Sequence, residues 1–405
     1  MFRLAVLLAA ATGHVALASP LTSVTAAANA ACPEQAGDYA AVDNAQLPDP
    51  WTFANGKPVT SNDDWACRVA EMSKIMQQFE LGALPPAPDS VTASMSGGSM
   101  SLTIKVGSNS KTLSVGITKG SGGSSSTGSP AIITVGGSSI PIPGTVGKIN
   151  FGNDACAAQS NPASHGTGWF FDLHGKTHPA GALTAWAWCV GRIIDGLEQL
   201  GADKTGIDPK KLGVTGCSRN GKGAFLVGAL EPRIALTLPQ ESGSGGAASW
   251  RISDSEKAKG KSIQTAHQII RENAWFSHNF DPYVNKTNEL PEDHHFLAAL
   301  IAPRGLFVME NDIDWLGPVS TTVTMKAGRL IYDALGVRAN MGFALVGGHS
   351  HCAFPSSSQA DLTSYINKFL LGTGKPSDAE ISPANVTMAD WISKWSATPK
   401  LSAAA

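Results

Sequence analysis

The chain has few charged residues and no block of charge of either sign. Asp, Glu, Lys and Arg make up 15% of its 405 residues, and the formal net charge is −2. Proteins that bind nucleic acid or an anionic membrane surface concentrate Lys and Arg on the binding face. We therefore expect neither nucleic acid nor a membrane as a partner.

Long apolar runs are also scarce, and no segment beyond the first residues is long and apolar enough for a transmembrane helix. The start Met-Phe-Arg leads into an apolar stretch at residues 4–11 and then to Ala16-Leu17-Ala18. This order is typical of a secretory signal peptide with a small-residue cleavage site. We expect residues 1–18 to be removed and the protein to be secreted into the extracellular space.

The cysteines lack the paired Cys-x-x-Cys spacing of a zinc cluster. There are six of them: Cys32, Cys67, Cys156, Cys189, Cys217 and Cys352. An even number in an exported protein predicts disulfides, although the count alone leaves their pairing open. Two Asn-x-Thr sequons, at Asn285 and Asn385, are candidate glycosylation sites.

Internal repeats and cysteine-rich carbohydrate-binding modules are absent from the sequence. Residues 19–48, rich in Ala and Pro, are expected to form a loosely ordered leader, followed by one domain over residues 49–405. Alternating apolar positions at 102–106 and 113–117 predict an antiparallel hairpin with residues 107–110 as its loop. The Gly/Ser run that follows is expected to be a surface loop, not an interdomain linker.

Five short apolar runs predict strands that are buried on both faces: residues 131–135, 212–215, 234–238, 306–309 and 343–346. Helical stretches lie between them, and residues 183–200 have the clearest helical spacing. Alternation of strands and helices predicts a mostly parallel sheet covered on both faces.

Polar residues follow several of these strands, where active-site loops gather in open α/β sheets. Residues 216–223 read Gly-Cys-Ser-Arg-Asn-Gly-Lys-Gly, which places Ser218 between a strand and a helix as in a nucleophile elbow. The second glycine, Gly221, falls one position later than in Gly-x-Ser-x-Gly. The alternative is that Ser218 caps the helix in a glycine-rich turn.

A candidate base follows the last predicted strand. His349 and His351 stand in the order Ser, acid, His that α/β-hydrolases use. The two histidines are also a weaker candidate metal site.

Two cysteines distinguish these histidines. Cys217 directly precedes Ser218, and Cys352 directly follows His351. A disulfide between them would hold their Cα atoms within about 7 Å and the serine next to this histidine. The sequence therefore favours His351 over His349.

The acid that would orient the histidine is not fixed by the residues alone. Glu241 follows one strand, while Glu310, Asp312 and Asp314 follow the next. Any of them has the chemistry to hold the imidazole tautomer. The late position of the acid in many α/β-hydrolases favours the second loop.

Together, three segments closely resemble the fungal glucuronoyl esterases, a carbohydrate esterase family: residues 216–223, residues 239–243 (Pro-Gln-Glu-Ser-Gly) and residues 348–352 (Gly-His-Ser-His-Cys). The resemblance extends from about residue 32 to about residue 371. It implies an α/β-hydrolase fold, that is, a three-layer αβα sandwich with a mostly parallel central sheet, to which we add an N-terminal antiparallel extension.

The resemblance also implies a triad of Ser218, Glu241 and His351, with the side chain and amide of Arg219 stabilising the oxyanion. Asp312 or Asp314 stays the fallback acid, because some relatives carry an acid on the later loop. The implied sugar contacts are Lys222, Gln264, Glu272 and Trp315.

The implied disulfides are Cys217–Cys352 and Cys32–Cys67, which leaves Cys156 and Cys189 to pair with each other. Many fungal members have a further bridge in the region of Ser249 and Thr324, where this sequence has no cysteine.

The activity implied by the resemblance is hydrolysis of esters between 4-O-methyl-glucuronic acid of glucuronoxylan and lignin alcohols. No metal or organic cofactor is implied, and we expect a monomer. One alternative is another secreted esterase, such as an acetyl-xylan or feruloyl esterase. A second alternative is a carbohydrate-binding protein with an inactive hydrolase fold.

Overall fold

Ten strands form one sheet in the computed structural model, which describes residues 32, 38–124 and 126–402. They are β1 (Ser90–Ser96), β2 (Ser99–Val106), β3 (Asn109–Thr118), β4 (Ser129–Val135), β5 (Gly147–Phe151), β6 (Ile207–Cys217), β7 (Ile234–Gln240), β8 (Gly305–Glu310), β9 (Met341–Leu345) and β10 (Glu380–Ile381). The spatial order is β1-β2-β3-β5-β4-β6-β7-β8-β9-β10. The pairs from β1 to β5 are antiparallel, and all pairs from β5 to β10 are parallel.

Helices cover both faces of this sheet. Those described are α1 (Asn62–Met76), α2 (Asn153–Cys156), α3 (Trp169–His174), α4 (Ala182–Leu200), α5 (Ala202–Thr205), α6 (Arg219–Leu230), α7 (Trp250–Ala258), α8 (Ala266–Glu272), α9 (His295–Ile301), α10 (Pro318–Ala334), α11 (Gln359–Ile366) and α12 (Ala389–Ile392). None of these helices combines the length and apolarity that crossing a membrane requires.

The two largest apolar cores lie on opposite faces of the sheet because side chains alternate along each strand. On β4, Ile133 belongs to the large core with α4 and α6, whereas its neighbour Ile132 packs with α11. Every residue of β4 is buried, which explains why this strand reads as a continuous apolar run. The expected three-layer αβα fold with a mostly parallel sheet is confirmed.

The predicted hairpin is β2 and β3, and Leu102 pairs with Leu113 in its register. Its turn is shorter than expected, because Asn109 already pairs with Val106. Gly107 has a φ of +56°, and a glycine with positive φ at the first turn position closes a two-residue hairpin. The four-residue loop expected over residues 107–110 is therefore wrong.

The end of the predicted leader packs against the domain. Leu47 is fully buried, its carbonyl accepts from the indole of Trp395, and the amide of Val42 donates to the carbonyl of Glu289. The predicted signal peptide and most of the leader (residues 1–31 and 33–37) lie outside the described residues.

Candidate active site

Ser218 occupies the sharp turn between β6 and α6. Its φ of 62° and ψ of −128° are unusual for a residue with a side chain, and such strain clusters at functional sites. Its amide donates to the carbonyl of Gln240, and its carbonyl accepts from the amide of Lys222. Ser218 makes no side-chain capping bond, so this geometry favours an elbow over a capping serine.

The late second glycine of the motif has a steric explanation. A Cβ at Gly221 would lie 2.4 Å from the carbonyl oxygen of Gln240, so this position has no room for a side chain. Asn220 stands where the common motif has glycine. Gly136, on the loop after β4, makes room for it, because a Cβ there would lie 2.2 Å from Nδ2 of Asn220.

Glu241 directly follows β7 and contacts His351. Its Oε2 lies 2.7 Å from Nδ1 of His351 and accepts from the amide of Cys352 at 2.9 Å. The carboxylate side chain is 1% exposed, and the amide of Glu241 donates to the carbonyl of Met309 at 2.7 Å. The carboxylate is therefore held in a fixed place and orients the imidazole through Nδ1.

A disulfide joins the serine turn to the histidine loop. Cys217 and Cys352 are bonded with Cα atoms 5.9 Å apart. The other two bonds, Cys32–Cys67 and Cys156–Cys189, have Cα separations of 5.4 and 6.6 Å.

Backbone strain is concentrated at this site. Four described non-glycine residues have φ in the left-handed region, and three of them are Ser218, Glu241 and Cys352. Strained residues persist only where the surroundings hold them, and here the disulfide and the buried carboxylate do so.

His349 also lies near Glu241, with Nδ1 3.7 Å from Oε1, but both of its ring nitrogens contact backbone carbonyls. Its Nε2 lies 2.8 Å from the carbonyl oxygen of Val346, and its Nδ1 lies 3.1 Å from that of Ser350. Across the described residues, the one group with metal-like spacing is Cys217, His351 and Cys352, and both cysteines are in the disulfide. The described chain thus offers no metal site built from the two histidines.

The other candidate acids lie elsewhere. The carboxylate of Asp312 packs against Gly347, and Asp314 lines a separate cavity. Glu310 accepts hydrogen bonds from the amides of Ser242 and Gly243. Glu241 is the one of the four that bonds to His351 within the part of the chain described.

An open cavity of about 290 Å³ lies above this arrangement. Its lining brings together most of the residues singled out from the sequence: Ser218, Arg219, Lys222, Gln264, Glu272, Trp275, Trp315 and His351. Trp275 is the member that sequence reasoning missed, and no local motif marks it. Its indole donates to Gln159 at 3.0 Å, which fixes the ring in the wall.

Lys222 is a buried cation in this wall. Its side chain is nearly inaccessible, and Nζ donates to the carbonyls of Ser242 and Ser244. Burial lowers its pKa to about 8. The ammonium is therefore charged at neutral pH and retains donor capacity for a ligand.

Three further residues form a connected polar edge. Gln264 donates its side-chain amide to Glu272 at 2.9 Å, and its backbone amide to the carbonyl of Trp315. The ring of Trp315 stands at 72° to that of His351, with centroids 4.7 Å apart. A flat aromatic face, an amide and a carboxylate around one cavity suit a hydroxylated ring.

Arg219 is exposed at the start of α6 and lines the same cavity. Among the described residues, none accepts a hydrogen bond from its guanidinium. A cation next to the serine and at a helix N-terminus is placed to stabilise negative charge.

Comparison with known proteins identifies this arrangement. A family model described as "Glucuronyl esterase, fungi" matches residues 102–336. The 4-O-methyl-glucuronoyl methylesterase of Thermothelomyces thermophilus is 60% identical over 364 residues, covering 90% of this chain and 91% of that protein. That of Neurospora crassa is 58% identical over 357 residues, covering 88% and 90%.

Solved structures agree with the sequence comparison. A mutant glucuronoyl esterase from Sporotrichum thermophile, in complex with methyl 4-O-methyl-β-D-glucopyranuronate, superposes with a TM-score of 0.88 and 59% identity over 91% of this chain and 99% of that one. The catalytic domain from Hypocrea jecorina superposes with a TM-score of 0.87 and 50% identity over 91% and 100%. This chain therefore belongs to the fungal glucuronoyl esterases and is a carboxylic ester hydrolase.

Proposed function

We propose that this protein hydrolyses esters in which 4-O-methyl-glucuronic acid of glucuronoxylan is the acid and a lignin alcohol is the alcohol. The observation that carries the mechanism is the 2.7 Å contact between Glu241 and His351, beside a cavity that Ser218 also lines. The similar Sporotrichum enzyme binds a methyl ester of the same uronic acid, which supports the sugar as the acid component.

The reaction begins with attack of Oγ of Ser218 on the ester carboxyl carbon, while Nε2 of His351 takes the hydroxyl proton. Glu241 stabilises the imidazolium that forms. The tetrahedral intermediate then expels the alcohol, which receives the proton from His351, and a glucuronoyl ester of Ser218 is left. Water then attacks the carbonyl carbon of this ester while His351 takes its proton, and His351 donates that proton to the serine oxygen as the uronic acid is released.

Arg219 stabilises the tetrahedral oxyanion. Its guanidinium carries a permanent positive charge and lines the cavity beside Ser218. A donor of this kind acts on the charge that develops during attack more than on the neutral ester.

Sugar recognition falls to Lys222, Gln264, Glu272 and Trp315. Lys222 lies one helical turn beyond Ser218, so that its ammonium lies close to the hydroxyls beside the reacting carboxyl carbon. Glu272 and Gln264 accept from and donate to hydroxyls, and Trp315 offers an aromatic face and an N–H donor.

The decisive experiment is hydrolysis of a benzyl ester of glucuronic acid by the wild type and by Ser218→Ala. Turnover that is abolished by the substitution supports both the reaction and the nucleophile. Folded wild type that leaves this ester intact but releases acetate from acetylated xylan would instead favour the acetyl-xylan esterase alternative. Binding of xylan without turnover of any ester would favour the inactive binding protein.

Export and glycosylation fit this function, since lignocellulose lies outside the cell. Both sequon asparagines, Asn285 and Asn385, are exposed, as glycosylation requires. We propose that the enzyme acts as a secreted, glycosylated monomer without a cofactor. A mass shift on treatment with an endoglycosidase tests the glycosylation.

A further inference from the structure

Glu310, the last residue of β8, is a buried carboxylate that the proposed mechanism does not use. It is 3% exposed. Its Oε1 accepts from the amide of Ser242 at 2.7 Å, from the hydroxyl of Ser242 at 2.8 Å and from the amide of Gly243 at 3.3 Å. Its Oε2 is also buried and has no hydrogen-bond partner within the described residues. Such a group is costly to bury, so its role needs an explanation.

The same backbone turn holds Lys222 from the other side. Nζ of Lys222 donates to the carbonyl of Ser242 and, at 2.8 Å, to that of Ser244. The peptide group between Ser242 and Gly243 therefore points its N–H at Glu310 and its C=O at Lys222. A peptide dipole in this orientation is stabilised by both charges at once, and each bond strengthens the other.

We propose that Glu310 is a positioning residue that holds the ammonium of Lys222 in the cavity through the turn at residues 242–244, and thereby sets the affinity for the glucuronate ring. The inference deepens the proposed function, because it rests on Lys222 as a sugar contact. Glu310 itself touches neither the substrate nor the reacting atoms.

The charges around the pair set its pH behaviour. Burial lowers the pKa of Lys222 to about 8, while Glu310 and Glu272 oppose that fall and Arg219 adds to it. Burial likewise raises the pKa of Glu310 to about 7, and the nearby Glu241 adds to the rise. Near pH 8 Glu310 is mostly ionised and supports the ammonium, whereas below about pH 6 it is protonated.

Replacement by an isosteric amide separates charge from shape. Glu310→Gln keeps an acceptor oxygen for the turn but removes the negative charge, so the pKa of Lys222 falls. Since the pKa of Lys222 is about 8, its charged fraction at pH 8 is sensitive to this loss, and we expect it to fall about fivefold. We expect KM for the benzyl glucuronate ester to rise about fivefold at pH 8 and to match the wild type at pH 5.5, where native Glu310 is itself neutral.

Two controls distinguish positioning from general damage. Hydrolysis of p-nitrophenyl acetate, which has no sugar for Lys222 to bind, should keep its kcat in Glu310→Gln. Glu289→Gln makes the same chemical change at a residue that pairs with Lys286 and lines no part of the cavity, and it should leave all parameters unchanged. An unchanged KM at pH 8, or an equal loss on both esters, would overturn the inference.

Binding measurements keep this test independent of turnover. In a Ser218→Ala background, calorimetry with methyl 4-O-methyl-β-D-glucopyranuronate should give a Kd about fivefold higher at pH 8 when Glu310→Gln is added. If the wild-type protein binds this ester but does not hydrolyse it, the proposed function is refuted. The effect of Glu310→Gln on Kd would still test the role of Glu310.

A double-mutant cycle tests whether Glu310 acts through Lys222. In a Lys222→Met background, Glu310→Gln should cause no further loss of affinity, because the group that it supports is gone. Additive losses would contradict the proposal. Where Glu310→Gln alone fails to fold, recovery of folding in the double variant supports the pairing of the two charges, and failure of both refutes it.

Discussion

Oε2 of Glu241 accepts from the backbone amide of Cys352 at 2.9 Å and lies 2.7 Å from Nδ1 of the neighbouring His351. Cys352 is in turn bonded to Cys217, the residue before Ser218. The proposed acid, base and nucleophile are thus joined through one carboxylate and one disulfide. Three strands, β6, β7 and β9, bring these groups to the same edge of the sheet.

Loss of the charge on Glu241 should disable the histidine without unfolding the protein. Glu241→Gln allows the wrong imidazole tautomer and removes the stabilisation of the imidazolium, so we expect kcat on the benzyl glucuronate ester to fall about 10⁴-fold, as for the acid-to-amide change in a serine triad. Asp312→Asn, which removes a carboxylate from the loop after β8, should retain full activity. The reverse result would move the acid to the later loop.

The disulfide Cys217–Cys352 should contribute to activity as well as to stability. Replacing both cysteines by Ala is expected to cost about 2 to 5 kcal/mol in the free energy of unfolding. We also expect a lower kcat at temperatures where the variant is still folded, because the histidine loop is no longer bonded to the serine turn. Urea unfolding and steady-state kinetics measure the two effects.

A matched pair of substitutions provides the control. Cys156 and Cys189 form a disulfide that lies outside the lining of the cavity, so replacing both by Ala should cost stability but leave kcat unchanged in the folded enzyme. An equal loss of kcat in both double variants would show that the first disulfide acts on stability alone.

The sequence predicted seven strands of the sheet but not β1, β5 or β10. β4 lies between two other strands and is buried throughout, so that it reads as an apolar run. β1 alternates exposed Ser and Thr with the partly buried Val91, Ala93 and Met95, so no apolar run marks it. β5 alternates between buried and exposed positions over only five residues, too few to stand out.

The site was predictable where chemistry is local and not where it depends on packing. Ser218 and His351 stand next to cysteines and follow apolar runs, which single-chain reasoning detects. The choice of acid depends on how the loops after β7 and β8 lie beside the histidine, and the candidates were Glu241, Glu310, Asp312 and Asp314. The usual late position of the acid favoured the loop after β8, and the family resemblance pointed instead to Glu241, which contacts His351. The role of Gly136, which makes room for Asn220, spans 84 positions and has no local signal.

A fourth disulfide should form when positions 249 and 324 are both changed to cysteine. The hydroxyls of Ser249 and Thr324 lie 2.6 Å apart in the buried core, which is close enough for two sulfur atoms to bond after small adjustments. The variant Ser249→Cys with Thr324→Cys is expected to gain about 2 to 4 kcal/mol under oxidising conditions.

To check this gain, the urea unfolding midpoint of the double variant is measured with the new disulfide formed and with its two cysteines as free thiols. Each single cysteine variant serves as the control. A free-thiol assay identifies the bonded form. If the disulfide-bonded variant is no more stable than the wild type, the hydrogen bond between Ser249 and Thr324 already stabilises the fold as much as the disulfide does.

His174 should make the protein lose stability in mild acid. Burial, with help from His178 and Arg192, lowers its pKa from 6.5 to about 4, and its Nε2 is buried without a hydrogen-bond partner in the described chain. Between about pH 6.5 and 4, His174 is therefore protonated in the unfolded chain but neutral in the folded protein. The contribution of His174 to stability is fully present above pH 6.5 and is lost as the pH drops through this window.

Phenylalanine at this position tests that sign. The ring of His174 packs edge-on against Trp188, with centroids 4.6 Å apart, and Phe keeps this aromatic contact but does not titrate. We expect His174→Phe to reduce the difference between the urea midpoints at pH 5 and pH 8. The offset at pH 8, where both side chains are neutral, measures the change in packing alone. Identical pH dependence in variant and wild type would assign the acid sensitivity to other groups.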